Sequence, residues 1–337
     1  VFRVSDPARG IENMVLRAGR CEYGTQTDGT ITITGLQDVF GLPATVYRKP
    51  EESGYIAPDA TPHAPLYQRV MECTYRDLVQ RVGERDADAL DPATGFLHAM
   101  AVRPRSSAMS FQLDTRVAPA EFKSQEVAGA FCPGGVLAAD ISPSATEVEF
   151  STVVDLQYLE VGTAALLGDE IVRIDAVDTS AGKVTIARGC IDTVPVEHAA
   201  GTVLFFYDNW GAEDLTEYVQ SVSVDAQLRT RTSAGLLASA SATVQSQLFQ
   251  SRANRPYPPG QLLLNGQGWP QMVVGDLVVS WAHRDRLTQS DELIDFSQAS
   301  IGPESGTKYG IELYDTDTDT QVFALTDISG VSATIPS

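Results

Sequence analysis

The chain of 337 residues has no apolar run approaching the roughly 20 residues that a membrane-crossing helix needs. Cysteine is scarce: Cys21, Cys73, Cys132 and Cys190 stand singly, with no CxxC pair. This excludes a disulfide framework and a zinc ribbon, and leaves the thiols as small apolar fillers of a protein folded in a reducing compartment. Histidine is as sparse, with His63, His98, His198 and His283 and no HExxH pair. GxSxG, GxxxxGK[ST] and GxGxxG are all missing, so the common hydrolase, nucleotide and dinucleotide signatures are absent. Basic residues are outnumbered, 24 against 44 acidic ones, and the net charge is -20. Such a surface repels nucleic-acid phosphate and anionic lipid, and suits partners that present basic patches.

What is present is the material of β-structure. Apolar residues make up 43%, enough for two or three domains with real cores. The fold class expected is mainly β (α+β) and multi-domain. The domains expected are 1–134, 135–208, 209–260 and 261–337. The first holds strands, TITIT at Thr30–Thr34 among them, ended by Val39–Pro43, and a Pro-rich loop over 49–65. A helix follows at about 66–82, since Leu66, Val70, Cys73 and Leu78 share one helical face and Gly83 can stop it. A shorter helix, interrupted by Pro92 and Gly95, is expected over Asp86–Ala101, with short strands at Met109–Leu113 and Phe122–Val127.

Residues 135–208 read as a self-contained small barrel. Strands are expected at Val136–Ile141, Glu147–Phe150, Tyr158–Val161, Ala165–Leu167, Glu170–Val177, Lys183–Ala187 and Thr202–Tyr207, separated by turns carrying Ser142-Pro143, Gly168-Asp169 and Gly201. Within Glu170–Val177, Ile171, Arg173 and Asp175 against Val172, Ile174 and Ala176 give the period-2 pattern of a half-buried strand. Tyr218–Leu228 favours a strand; Ser233–Gln250 is open to helix or strand, with its Ser and Thr content favouring strand. Pro256, Pro258 and Pro259 then stiffen a joint. Beyond it lies an immunoglobulin-like module with a strand at Asp276–Trp281, a hairpin of Thr307–Tyr314 and Gln321–Leu325, and a last strand at Val331–Ile335. A full sandwich takes about seven strands. Only four or five are visible here, so the given chain is expected to be a truncated piece.

Candidate chemistry is thin, and no catalytic or cofactor-binding residue is assigned. Cys132 in AFCPGG is either a nucleophile or a core thiol before a turn, and the core reading is preferred. The adjacent pairs Asp169/Glu170 and Glu51/Glu52 are read as solvated surface rather than the two acids of a glycosidase. Asp315, Asp317 and Asp319 echo a calcium loop, but Thr320 and Thr326 stand where such a loop needs Gly and Glu. They are the one metal alternative, against a plain acidic hairpin tip. Trp281 is assigned to a core. Trp269 and Tyr257 are assigned to the seam at the Pro-rich joint, with a carbohydrate-stacking platform as the alternative. His283-Arg284-Asp285-Arg286 reads as a solvated strand end.

Four stretches taken in order carry a resemblance: Thr27–Pro43, Pro65–Gly83, Val161–Gly201, and RPYPPGQLLLNGQGWP at Arg255–Pro270 with DLVVSWAHRDRLTQ at Asp276–Gln289. Together they resemble the central tail-tip, or baseplate hub, proteins of bacteriophages with long non-contractile tails, and the hubs of gene transfer agents. The resemblance runs from about Thr27 onward. It implies a hub region with an inserted small β-barrel and a C-terminal fibronectin type III-like sandwich. It also implies a virion structural protein that is no enzyme and needs no cofactor. The implied partners are a homotrimer's other copies, the tail tube or distal tail protein, the tape measure and the fibres. A carbohydrate-binding adhesin or fibre module, and a tail-associated cell-wall hydrolase, are the alternatives.

Overall fold

The computed structural model describes residues 1–37 and 59–337, and the chain divides into two compact units, Val1–Ala57 and Pro58–Ser337. The expected Val39–Pro43 boundary, the Glu51/Glu52 pair and most of the Pro-rich loop lie outside the described residues.

In the first unit β1 (Phe2–Asp6), β2 (Ile11–Tyr23) and β3 (Ile31–Gln37) form an antiparallel sheet. The TITIT strand lies in β3 and starts from a turn in which Asp28 Oδ1 accepts the Thr30 N–H at 3.1 Å. None of residues 1–37 is buried.

The second unit opens with a β-sandwich. One sheet has the order β14 (Ala212–Val219), β5 (Thr94–Val102), β4 (Tyr67–Glu72). The facing sheet is built on β6 (Ala108–Arg116), β7 (Lys123–Gly129), β15 (Ser223–Thr232), β16 (Gly235–Leu236) and β17 (Val244–Leu248). Leu97, Phe111, Leu113, Leu228 and Phe249 fill the space between them at 0% exposure. Two short helices, α1 (Tyr75–Val82) and α2 (Glu84–Asp88), follow β4. The expected helix over 66–82 is therefore half strand. Its apolar spacing straddles two elements, and α1 begins only at Thr74. There the Thr74 and Asp77 side chains cap each other's backbone N–H groups, a pairing that contributes about 1 kcal/mol.

The helix expected over Asp86–Ala101 shrinks to α2, and β5 takes the rest. Leu97, Ala99 and Ala101 of β5 face the sandwich core, while Met100 and Val102 face the barrel. A strand buried on both faces has no polar side, so its sequence does not alternate. Tyr218–Leu228, expected as one strand, is split between β14 and β15 by a turn with Ser221 at φ 70°. Ser233–Gln250 is strand, as preferred, in two pieces around a 3-10 turn.

Between β7 and β14 a closed antiparallel barrel is inserted. It consists of β8 (Gly134–Leu137), β9 (Glu147–Val154), β10 (Ala164–Leu167), β11 (Glu170–Asp178), β12 (Lys183–Ala187) and β13 (Val203–Phe205). Closure leaves no free edge for other strands to pair with. Tyr158–Val161, expected as a strand, is instead the end of a 3-10 turn and a tight turn. The start of β11 is buried on both faces at Ile171 and Val172, so it is more than half-buried there.

The chain leaves for the barrel at Ala130 and returns at Gly211, and these two residues bond each other's backbones at 3.0 and 2.9 Å. Gly211 sits at φ 93°, and a Cβ there would press on the Ala99 carbonyl at 2.5 Å. After the return, β14 pairs with β5 and β15 with β6. The barrel thus interrupts a domain whose sheets close only once it is finished.

At the C-terminal end β18 (Gly260–Leu264) and β19 (Leu277–Ala282) share a sheet with β22 (Ser332–Ile335), facing the hairpin β20 (Tyr309–Asp315) and β21 (Thr320–Ile328); the short helix α3 (Arg286–Gln289) follows β19. Trp281 lies in its core, 5.2 Å from the Tyr309 ring. The expected mainly-β fold with an inserted barrel and a sandwich-like end is what the chain adopts.

Candidate functional site

Arginines that are buried or partly buried join the modules of the second unit; of these, Arg173 was named from the sequence only as part of a strand pattern and Arg284 only as part of a solvated strand end. Arg76, on the capped first turn of α1, donates to both Asp208 oxygens at 2.8 Å and to the Asp291 carbonyl at 2.9 Å. It therefore binds the sandwich helix, the barrel exit and the C-terminal module with one side chain. Arg252 reaches from the return segment to Asp192 of the barrel at 2.6 and 2.8 Å. On the barrel flank Arg173 donates to the Leu293 carbonyl at 2.6 Å and pairs with Asp175 and Asp295.

Arg284 is 5% exposed and donates to five carbonyls, those of His283, Asp295, Phe296, Gln298 and Ala299. The expected solvated strand end is thus a buried post for a loop with no regular structure to satisfy its carbonyls. Tyr257 is buried at the seam as expected, beside Met71 and Leu293.

Inside the barrel, Glu170 and Arg188 form a bidentate pair at 2.8 and 2.7 Å. His198 Nε2 lies 2.8 Å from the same carboxylate. Asp169 next door is exposed and pairs with Arg69. The two adjacent acids point into different surroundings, which removes them as a glycosidase pair and corrects the solvated reading of Glu170.

A cavity of about 330 Å³ lies where α1, β5 and the barrel exit meet, lined by Asp77, Arg81, His98, Tyr207 and Glu213. Both His98 ring nitrogens lack hydrogen-bond partners, and Nδ1 stands 3.6 Å from Glu213. Burial pushes the Asp77 carboxyl above its ordinary range, against the pull of His98 and the Thr74 backbone. Burial also drives the Cys73 thiol further from ionisation.

A second cleft of about 480 Å³ lies between the barrel and the C-terminal module, with Trp269 on its rim. The Trp269 ring is stacked on Phe296, centroids 6.4 Å apart and planes 26° apart. Trp269 was placed from the sequence as a seam residue. It lines this seam and remains 54% exposed.

The remaining sequence candidates have structural roles. Asp315 Oδ1 accepts from the Asp317 and Thr318 backbones at 3.0 and 2.9 Å and from the Thr318 hydroxyl, closing the β20–β21 turn. Those bonds, the hydroxyl's first, hold its carboxyl below the usual range. Among the described residues no three His, Cys, Asp or Glu side chains are grouped to hold a metal. Cys132 is fully buried, donates to the Ala101 carbonyl, and is pushed up to about 12 by burial. Cys190 is likewise pushed up to about 12. Only Cys21 is exposed. Thiol titration with Ellman's reagent is expected to find no more than that one group in the native protein, and all four in guanidinium. A second native thiol reacting at a similar rate would show the barrel and sandwich cores to be open.

No protein-family model matches the chain, and no curated protein sequence matches it. Function therefore rests on the chain's own residues.

Proposed function

We propose that the chain is a structural subunit of a bacteriophage tail tip, a baseplate-hub protein that works in several copies, closes the end of the tail tube and carries fibres. Its action is mechanical. Rigid modules hold the tip shut, and infection moves the subunits apart so that the tube opens. Copies surround the tail axis, three by the family resemblance, and contact tube, tape measure and fibre proteins. A charge of -20 facing the passage would keep DNA from sticking to it.

The observation that carries the reading is the sheet β1–β3. It holds Phe2, Val4, Ile31, Ile33 and Leu36, yet none of its residues is buried. A three-stranded sheet that buries none of its side chains gains little stability of its own, and a partner covering its apolar face would supply it. The arginine joints support the same reading, since they favour one fixed arrangement of the second unit's modules, as a mechanical part requires.

Ile31 and Ile33 point to one face, with Cys21 opposite Ile33 in the neighbouring strand. Light scattering after size exclusion is expected to give a trimer mass for the full chain. Ile31→Asp combined with Ile33→Asp should shift it toward monomer and speed the reaction of Cys21 with thiol reagent. A monomer at high concentration in the unsubstituted chain would defeat the assembly reading. Antibody-gold labelling of tailed particles tests the placement: gold at the distal tail end supports it, and gold confined to other parts of the particle refutes it.

A further inference from the structure

The cleft beside Trp269 has the composition of a sugar-binding subsite. The indole belongs to the β18–β19 loop, whose base is pinned where Asn265 Oδ1 accepts the Val278 N–H at 2.6 Å and Nδ2 donates to the Asp276 carbonyl at 3.1 Å. Trp269 itself has φ 56°, a conformation a bulky side chain rarely adopts unless its surroundings impose it. One ring face packs on Phe296, and the residue remains 54% exposed. Phe296 is fixed from both sides: its N–H donates to the Arg188 carbonyl of the barrel at 2.9 Å, and its own carbonyl accepts from Gln261 at 2.6 Å. The platform therefore does not need to form when a ligand arrives, which lowers the cost of binding.

Opposite the platform the barrel supplies polar groups. Thr146, Thr185 and Asp175 are among the residues that line the cleft. Arg173 occupies part of the Asp175 carboxylate, through contacts at 2.7 and 3.3 Å. A carboxylate has about four acceptor positions, so Asp175 keeps capacity for further donors. The volume of about 480 Å³ falls within the range of small-ligand pockets, about 300–1,000 Å³.

We infer that this cleft binds a neutral pyranose unit of a glycan. A pyranose offers a C–H face to stack on indole and equatorial hydroxyls for Asp175, Thr146 and Thr185. Charge decides against an acidic sugar or a phosphate polymer, because Asp175 and the net charge of -20 both repel it. Geometry decides against a quaternary ammonium ligand. Such a cation is held by rings set around it, whereas Trp269 and Phe296 stack on each other and offer one open face. The site takes its wall from both modules, so it exists only in the joined protein. It does not depend on the tail-tip reading.

The test is a glycan array carrying neutral and acidic oligosaccharides, probed with the labelled full chain. Titration of the strongest hit follows, read by tryptophan fluorescence and calorimetry. Neutral hexose or N-acetylhexosamine glycans are expected to bind. Trp269→Ala should weaken binding at least about tenfold, while Trp269→Phe, which keeps a flat ring, should lose much less. Melting temperature should stay unchanged in both, since the residue is on the surface. Met272→Ala, on the same loop and 77% exposed, should bind like the parent. A blank array, binding confined to acidic glycans, or equal affinity in Trp269→Ala would each overturn the assignment.

Discussion

Replacing Arg188 with methionine is expected to destabilise the barrel by about 3–5 kcal/mol, the usual cost of stranding one partner of a buried ion pair. Arg188 is 6% exposed and donates to Glu170 and to the carbonyls of Ser142, Ala145 and Val196. Without it, Glu170 remains at 2% exposure with only the Gly189 and Val196 N–H groups and His198 as partners. Hydrogen exchange of the β11 and β12 amides, followed peptide by peptide, reads the effect within the barrel itself. The double variant Glu170→Leu/Arg188→Met should recover a large part of the loss, because it removes the stranded charge as well. Protection in Arg188→Met equal to the parent's would mean the pair contributes little to holding the barrel shut.

Arg76→Ala is expected to have the next largest effect, and a different kind of effect. It leaves Asp208 buried with one remaining donor, the Ala164 N–H, and frees the Asp291 carbonyl. The same range of about 3–5 kcal/mol applies, but it falls on the contact between modules rather than on one core. The barrel should loosen from the sandwich at its two connections, near Cys132 and near Asn209. Limited proteolysis should then cut there well before the parent chain is cut. Arg76→Lys should not rescue, since one ammonium cannot reproduce the paired bonds to both Asp208 oxygens and a third to Asp291. Identical cleavage patterns in parent and variant would show that apolar packing around Tyr207 and Leu293 holds the modules without the arginine.

How much of this could be read in advance varies from element to element. The barrel strands β9, β10, β11 and β12 were legible because short β-branched runs and turn dipeptides are local signals, whereas Tyr158–Val161 was not a strand. Trp281 was legible as a core residue for the same reason. The stretch from Leu66 to Val102 was misread: strands buried on both faces lose the polar positions that reveal period 2, and the apolar spacing left over happens to fit a helix. Arg76, Arg188, Arg252 and Arg284 could not have been recognised. Nothing beside them in the sequence separates a buried arginine from a solvated one, and Arg284 was indeed read as solvated. Trp269 was noticed, but its exposure depends on Phe296, which lies on a distant segment.

By itself the sequence determined the β character, the turn-separated barrel strands, the stiff Pro-rich joint and the acidic surface, because each follows from local backbone preference or from simple charge count. Only the tertiary structure decided that β5 closes on β14 and β6 on β15 across the inserted barrel. Only it decided which arginines are buried between modules, and that Trp269 shares a cleft with residues of the barrel. Those pairings join residues about a hundred positions apart, where selection acts through packing and desolvation, and neither leaves a periodic trace in the chain.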